Sequence, residues 1–346
     1  MRKWGFLAAV IAVATVVGAV AVGRTAAAPQ RTTSTTITGA GSTFVQPLVS
    51  QWISPLGSAF GYELQYSGVG SGAGIAAITA RTVDFGASDA PLSPDQFAAC
   101  KGCAQIPWAL SATAIPYNLP GMKSNLHMDG PTLAKIFMGQ ITTWNDSAIK
   151  KLNPKVSLPS TKIAIAHRSD NSGTTYNFTD YLSSVSPVWR TKYGKGVAVN
   201  WPTGTGGKGS SGVAAIVAQT AGAIGYVDVA YALKNHLKFF SMKNRSGVYA
   251  NPGLRNIAAA AASDIKPAAD NSLSIVNPPK RFRAAYPIST YTYVIVPEQS
   301  AKAPEMKKFL FWAVTKGQTY GPKLLFVPIP KNVLVISEKT IKKLHT

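Results

Sequence analysis

Residues 167–182 read HRSDNSGTTYNFTDYL. The stretch follows the apolar residues Ile163 to Ala166, and beyond Gly173 the residues Phe178, Tyr181 and Leu182 recur at helical spacing. A strand, a turn and a helix are therefore predicted. The turn carries a fixed positive charge at Arg168, an acid at Asp170, and Ser, Gly and Thr where the helix begins. Such a turn can hold an anion, because a helix N-terminus presents unpaired N–H groups and a partial positive charge.

Two other junctions have the same form. Ile37-Thr38 leads through Gly-Ala-Gly-Ser42-Thr43 to Phe44, Leu48 and Trp52, spaced four apart, and Tyr66-Ser67 leads through Gly-Val-Gly-Ser71-Gly-Ala-Gly to Ile75 and Ile78. Taken singly, each reads as a capped helix after a glycine turn. Three in one chain suggest an open α/β fold that binds its ligand at the carboxyl ends of strands. Strands are expected at Ile37-Thr38, Tyr62 to Tyr66, Val83 to Ala87, Ile163 to Ala166, Ala223 to Val227 and Tyr291 to Val296. Helices are expected from Thr43, Ser71 and Gly173, and over Ala303 to Thr315.

In VDFGASDAPL, residues 83–92, Val83, Phe85 and Ala87 alternate as on a strand and Asp89 falls just past its end. An acid suits an anion site only when the anion carries a proton. Phosphate does near neutral pH and sulfate does not, so a buried Asp89 would select phosphate while Arg168 balances its charge. The plainer readings are an N-cap before Pro91 for Asp89 and a turn acid for Asp84. Asp170 is expected to orient Arg168, and His167 to turn away from it.

The bulk composition agrees with a globular chain long enough for two domains: 346 residues, 46% hydrophobic and 14% charged. The net charge of +21 is scattered, its densest runs being Lys280 to Arg283 and Lys342-Lys343. No nucleic-acid module surrounds them, so DNA or RNA is not expected as a partner. Arg2 and Lys3, the apolar stretch Trp4 to Val22 and the small residues up to Ala28 describe an export signal over residues 1–28. The apolar stretch is also long enough for an uncleaved anchor. A polar linker, 29–34, follows, and the folded part is expected in the periplasm or on the outer face of the cytoplasmic membrane. The two cysteines, Cys100 and Cys103, form a C-x-x-C that could be a redox dithiol, half a zinc site or a small-loop disulfide. With the four histidines unpaired in spacing, zinc lacks further ligands, and export favours the disulfide.

The segments TGAGSTF, GVGSGAGI, VDFGASDAPLS, HRSDNSGTTYNFTDYL, NWPTGTGGKGSSGVAA and GAIGYVDVAYA together resemble the phosphate-binding proteins of bacterial Pst ABC uptake systems, from about Thr38 to the C-terminal region. The resemblance implies a two-lobed periplasmic-binding-protein fold of type 2. Each lobe would be a mixed sheet flanked by helices, with inorganic phosphate held in the cleft between lobes and delivered to a membrane-embedded ABC permease. It implies one lobe from 35–109 plus 284–346 and another from 110–283. The family's ligand pattern falls on Thr43, Phe44 (through its backbone N–H), Ser71, Asp89, Arg168, Ser172, Gly173 and Thr174. Ser42 stands where the family often has alanine and Asn171 where glycine is common. No catalytic residue, metal or cofactor is implied, and a monomer is expected.

Two other readings compete. Gly204 to Ser210 satisfies G-x-G-x-x-G, but a Walker A loop needs Ser or Thr directly after Lys208, where Gly209 stands, and no convincing apolar strand precedes it. A conformational or packing role is expected for it. A secreted phosphatase or phosphate-transfer enzyme could use the same anion pocket with Ser71, Ser172 or Thr174 as nucleophile. It would need a base or metals, and His167 is the only histidine near the motifs. An adhesive surface protein would explain the charge but not the motifs.

Overall fold

The computed structural model describes residues 34–122, 125–263 and 266–346; the expected export signal and residues 29–33 of the linker lie outside the described residues. Strand Thr36–Gly41 pairs in parallel with Glu63–Gly68 on one side and Phe85–Ser88 on the other. Gly41 sits opposite both Gly68 and Ala87, so the turns that leave these three strands start from one edge. Ser289–Pro297 runs antiparallel between Phe85–Ser88 and the long strand Cys103–Ala114, and Val227–Asp228 completes this six-stranded sheet at its edge.

A second sheet of five strands runs Lys238–Phe239, Pro116–Asn118, Ala223–Ile224, Ala164–Arg168 and Thr205–Gly207. Its parallel pair places Arg168 opposite Gly207, so the loop after Arg168 and the loop after Gly207 leave from the same edge. A small three-stranded sheet of His127–Met128, Ser241–Lys243 and Tyr249–Ala250 lies apart from both.

Two crossings between the large sheets are very short. Cys103–Ala114 ends in the first sheet and Pro116–Asn118 begins in the second, with only Ile115 between them. Ala223–Ile224 and Val227–Asp228 likewise belong to different sheets, with only Gly225 and Tyr226 between. The single strand expected from Ala223 to Val227 is thus two strands, since an apolar run does not reveal which sheet each half joins.

Aromatic rings fill both halves. Trp52 meets Trp108 edge to face at 5.2 Å and Phe85 lies 5.5 Å from Phe309, all four buried. In the other half Phe178 stacks on Tyr226 at 4.4 Å, with Phe137 and Trp201 beside them. Each such side chain contributes roughly 1.5–3 kcal/mol by leaving water. Phe44, Leu48 and Trp52 are buried as their spacing predicted, but the helix is Gln46–Phe60 and Thr43 precedes it in a turn. Phe85–Ser88 also starts later than expected. The Asp84 carboxylate accepts from the Thr38 N–H at 2.8 Å and hydroxyl at 3.0 Å and pairs with Lys302 at 2.9 Å, so Asp84 ties strand to helix from outside the strand.

Candidate anion-binding cleft

Of the three strand–turn–helix junctions, only the third is capped by a side chain. The Ser172 hydroxyl accepts from the Thr175 N–H at 3.1 Å, whereas helices Gln46–Phe60 and Ser71–Thr79 begin at Val45 and Gly70 with no side-chain cap. The hydroxyls of Ser42, Thr43 and Ser71 are therefore not used up locally, and all three turn to residues distant in the chain. Thr43 Oγ1 lies 2.9 Å from Ser210 Oγ and accepts from the Ser210 N–H at 3.2 Å. Ser71 Oγ accepts from the Gly173 N–H at 3.0 Å and the Asp89 N–H at 3.3 Å. The Gly72 N–H donates to Asn171 O at 3.0 Å. Each of these bonds except Ser71–Asp89 joins a turn of the first sheet to a turn of the second.

The approach requires glycine. A Cβ on Gly173 would lie 2.6 Å from both the Asp89 N and Ser71 Oγ and 2.7 Å from Asp89 Oδ2. Helix Ser71–Thr79 is drawn against its strand by the same means, since a Cβ on Gly74 would stand 2.4 Å from the Gly41 Cα.

Arg168 is buried, 4% exposed, and held by Asp170 in a two-point pair: Nε to Oδ1 at 2.7 Å and Nη2 to Oδ2 at 2.5 Å. Its Nη1 faces Thr174 Oγ1 at 3.4 Å. Such a fork is stiff, and it leaves one edge of the guanidinium for another acceptor. Asp170 also accepts from the Gly209 N–H at 3.0 Å. Burial alone would raise the Asp170 carboxyl, but hydrogen bonds and charge from Arg168 hold it below the ordinary carboxylate value. Behind the arginine, the Tyr226 hydroxyl accepts from the Arg168 N–H at 3.0 Å and shares a hydrogen bond with Thr175 Oγ1 at 2.7 Å.

Asp89 is 2% exposed and caps no helix; Ser93 caps the helix that follows. Its Oδ1 accepts from the Ser42 hydroxyl at 2.5 Å, and Ser42 Oγ in turn accepts from the Phe44 N–H at 3.0 Å. Burial pushes the Asp89 carboxyl up to about 7, against the lowering pull of Ser42, the Arg168 charge and Ser71. A second carboxyl, Asp228, is wholly buried nearby, its Oδ1 accepting from the Ala230 N–H at 2.8 Å. Burial holds it well above the usual carboxylate range; the Ala230 bond opposes this and the charge of Asp89 adds to it. Burial thus shifts both acids upward, and Asp89 titrates near neutral pH.

The structure brings Thr43, Ser71, Asp89, Arg168, Gly173 and Thr174 into one hydrogen-bonded constellation, with Ser172 as the cap beneath it and the Phe44 N–H on Ser42. Sequence reasoning missed Ser42, Ser210, Gly209 and Tyr226 as members. Ser42 and Ser210 gave no signal because their partners are remote in the chain. No strand precedes the Gly204 to Ser210 segment directly; it contains a short one, Thr205–Gly207, and runs into helix Gly209–Gln219, whose first residues bond Asp170 and Thr43. His167 stacks on Trp201 at 5.0 Å between ring centroids, and its Nδ1 lies 3.0 Å from Arg168 O. Among the described residues no three His, Cys, Asp or Glu groups could hold a metal ion. Cys100 and Cys103 form the expected disulfide, with Arg81 Nη1 3.4 and 3.3 Å from the two sulfurs.

Two helix-flanked sheets whose turns meet across a cleft define a substrate-binding protein of the periplasmic type, and a family model described as a PBP superfamily domain matches residues 26–316. The protein named phosphate-binding protein PstS of Xylella fastidiosa (strain Temecula1 / ATCC 700964) is 42% identical over 310 residues, 88% of this chain and 84% of that one. The protein of the same name from Pasteurella multocida is 38% identical over 308 residues, 88% and 89% of the two chains. The chain belongs to the PstS family of phosphate-binding proteins. Its fold is also that of PfluDING, a high-affinity periplasmic phosphate-binding protein solved with phosphate bound, at a TM-score of 0.70 and 23% identity over 88% of this chain and 93% of that one.

Proposed function

We propose that this chain captures inorganic phosphate reversibly in the cleft between its two lobes and delivers it to the membrane-embedded permease of an ABC transporter. The observation that carries the reading is the opposition of Asp89 to Arg168. One fixed cation meets one buried carboxyl that titrates near neutral pH, amid N–H and hydroxyl donors. Phosphate carries a proton to share with the ionised carboxylate; sulfate offers only acceptors and would leave that form unpaired.

In this reading Thr43, the Phe44 N–H, Ser71, Arg168, Ser172, Gly173 and Thr174 donate to the anion, and Asp89 takes up or gives the shared proton. The bonds now running between the two sheets are those that lobe closure makes. The lobes are taken as 35–109 with 284–346, and 110–283, except that residues 110–114 and Val227–Asp228 pair within the first sheet, and the protein works as an exported monomer after loss of residues 1–28. No bond is made or broken in this reading, in keeping with relatives named for binding phosphate.

Titration calorimetry with phosphate and then with sulfate tests this. One tight phosphate site per chain with sulfate far weaker is expected. Equal affinities, or phosphomonoester hydrolysis without phosphate affinity, would overturn it.

A further inference from the structure

Beside Asp89 lies a cavity of about 330 Å³ whose wall includes Asp89, Tyr176, Asn177, Asp180, Lys195 and Lys266. Elsewhere the cleft is stitched shut: Thr43 to Ser210, Gly72 to Asn171 and Ser71 to Gly173 on one side, and Tyr231 to Gln46 at 3.2 Å on another. Asn177 is tied to the first sheet, its Nδ2 donating to Thr113 Oγ1 at 2.8 Å and to Ile288 O at 3.3 Å. The Asp89 side is therefore where the constellation opens onto a solvent-sized space. Both cations on that wall are exposed, and neither belongs to the constellation around Arg168.

We propose that this cavity is the path by which the oxyanion reaches and leaves the Asp89–Arg168 constellation, with Lys195 and Lys266 as an outer anion station on it. The inference rests on the phosphate reading of the cleft. A dianion approaching a buried carboxyl meets like charge first, and a cation on the approach offsets that repulsion where low-dielectric walls strengthen the field. Lys195 is fixed for the purpose: its Nζ lies 3.0 Å from Asp180 Oδ1 and 5.3 Å from the centroid of the Tyr176 ring. Its segment is tied down as well, with Ser183 Oγ and Trp189 Nε1 donating to Gly194 O at 3.0 and 2.9 Å and the Val197 carbonyl accepting from the Ser172 N–H at 2.8 Å. Lys266 lines the same cavity from a different segment. Asp180 balances Lys195, so Lys266 leaves the wall one positive charge to set against Asp89.

Stopped-flow binding of inorganic phosphate, at low and high salt, tests the path on the whole exported chain. In Lys195→Gln with Lys266→Gln the association rate at low salt is expected to fall roughly tenfold and its salt dependence to flatten, as for steered association. Dissociation slows in parallel, so Kd moves far less than either rate. Lys195→Arg keeps the fast rate, which separates charge from mere packing. Wild-type rates in the double variant, or a loss seen only in dissociation, would overturn the path. Should the unaltered protein bind no phosphate in calorimetry, it is the phosphate reading that fails.

Discussion

The Ser42 hydroxyl donates to Asp89 Oδ1 at 2.5 Å while its oxygen accepts from the Phe44 N–H at 3.0 Å. The acid is thus held by a hydroxyl donor that an alanine at this position would lack. That bond favours the ionised acid. In Ser42→Ala the carboxyl rises further and is more nearly neutral at pH 7. The preference for phosphate over sulfate should shrink roughly fivefold at pH 7, about what one pKa unit produces, and return at pH 9. Competition titrations at the two pH values check this; a ratio that does not depend on pH would contradict it.

Asp89 itself costs stability. Its carboxyl stands at about 7 in the folded chain against 3.8 for the ordinary group. Between those values the unfolded chain releases a proton that the folded chain keeps. Stability therefore falls as pH rises through the window and levels off above it, at a cost of about 4 kcal/mol. Asp89→Asn removes the titration. In phosphate-free buffer it should be about 2–4 kcal/mol more stable than the parent at pH 8, with the gap closing toward pH 4. Urea unfolding at both values measures it, and equal midpoints at pH 8 would refute the raised carboxyl.

Gly173→Ala separates binding from folding. The backbone there lies outside the left-handed region, so alanine fits the helix start without strain. The added methyl would meet Asp89 and Ser71 across the cleft at 2.6–2.7 Å. Thermal stability should hold or rise slightly, and phosphate affinity should fall by about 100-fold or more, as overpacking of 1–3 kcal/mol or above implies. Retention of tight binding would show that the two turns need not meet this closely.

Asp170 acts through Arg168. Asp170→Asn keeps the shape of the pair but not its charge, and a charged hydrogen bond of about 1.5–3 kcal/mol is reduced to a neutral one. Because Arg168 holds the acid's folded value below 3.8, the parent gains stability above that pH and loses it as pH falls through the depressed value. The variant should lack that acid-side loss, which a pH series of melting temperatures would reveal.

The Cys100–Cys103 loop is small, so opening it should cost only about 2 kcal/mol. Its sulfurs and Arg81 touch none of the turns that meet in the cleft. The double change to serine should leave phosphate affinity within twofold, by calorimetry.

The sequence showed the strands and turns because glycine, serine and threonine follow apolar stretches at each junction, and Asp89 and Arg168 because a charge at a strand end is conspicuous. It did not show that Thr43 and Ser71 cap nothing. That depends on Val45 and Gly70 occupying the helix starts, a choice of one or two residues that propensity does not make. Ser210 was hidden in a glycine-rich segment without apolar alternation. Its strand exists because glycines let helix Gly209–Gln219 lie close: a Cβ on Gly207 would stand 2.6 Å from the Val213 N.

The passages through Ile115 and through Gly225 and Tyr226 lie side by side, with the Gly225 N–H on Pro116 O at 3.0 Å and the Phe240 N–H on Ile115 O at 3.1 Å. They act as a pair of short pins. If the lobes close as proposed, one half of the molecule turns about them with no slack to slide or drift. A closing stroke about them would then end at the same seating on every cycle. Adapting such a molecule to a bulkier cargo would mean recutting the glycine turns, since the pivot cannot lengthen to make room.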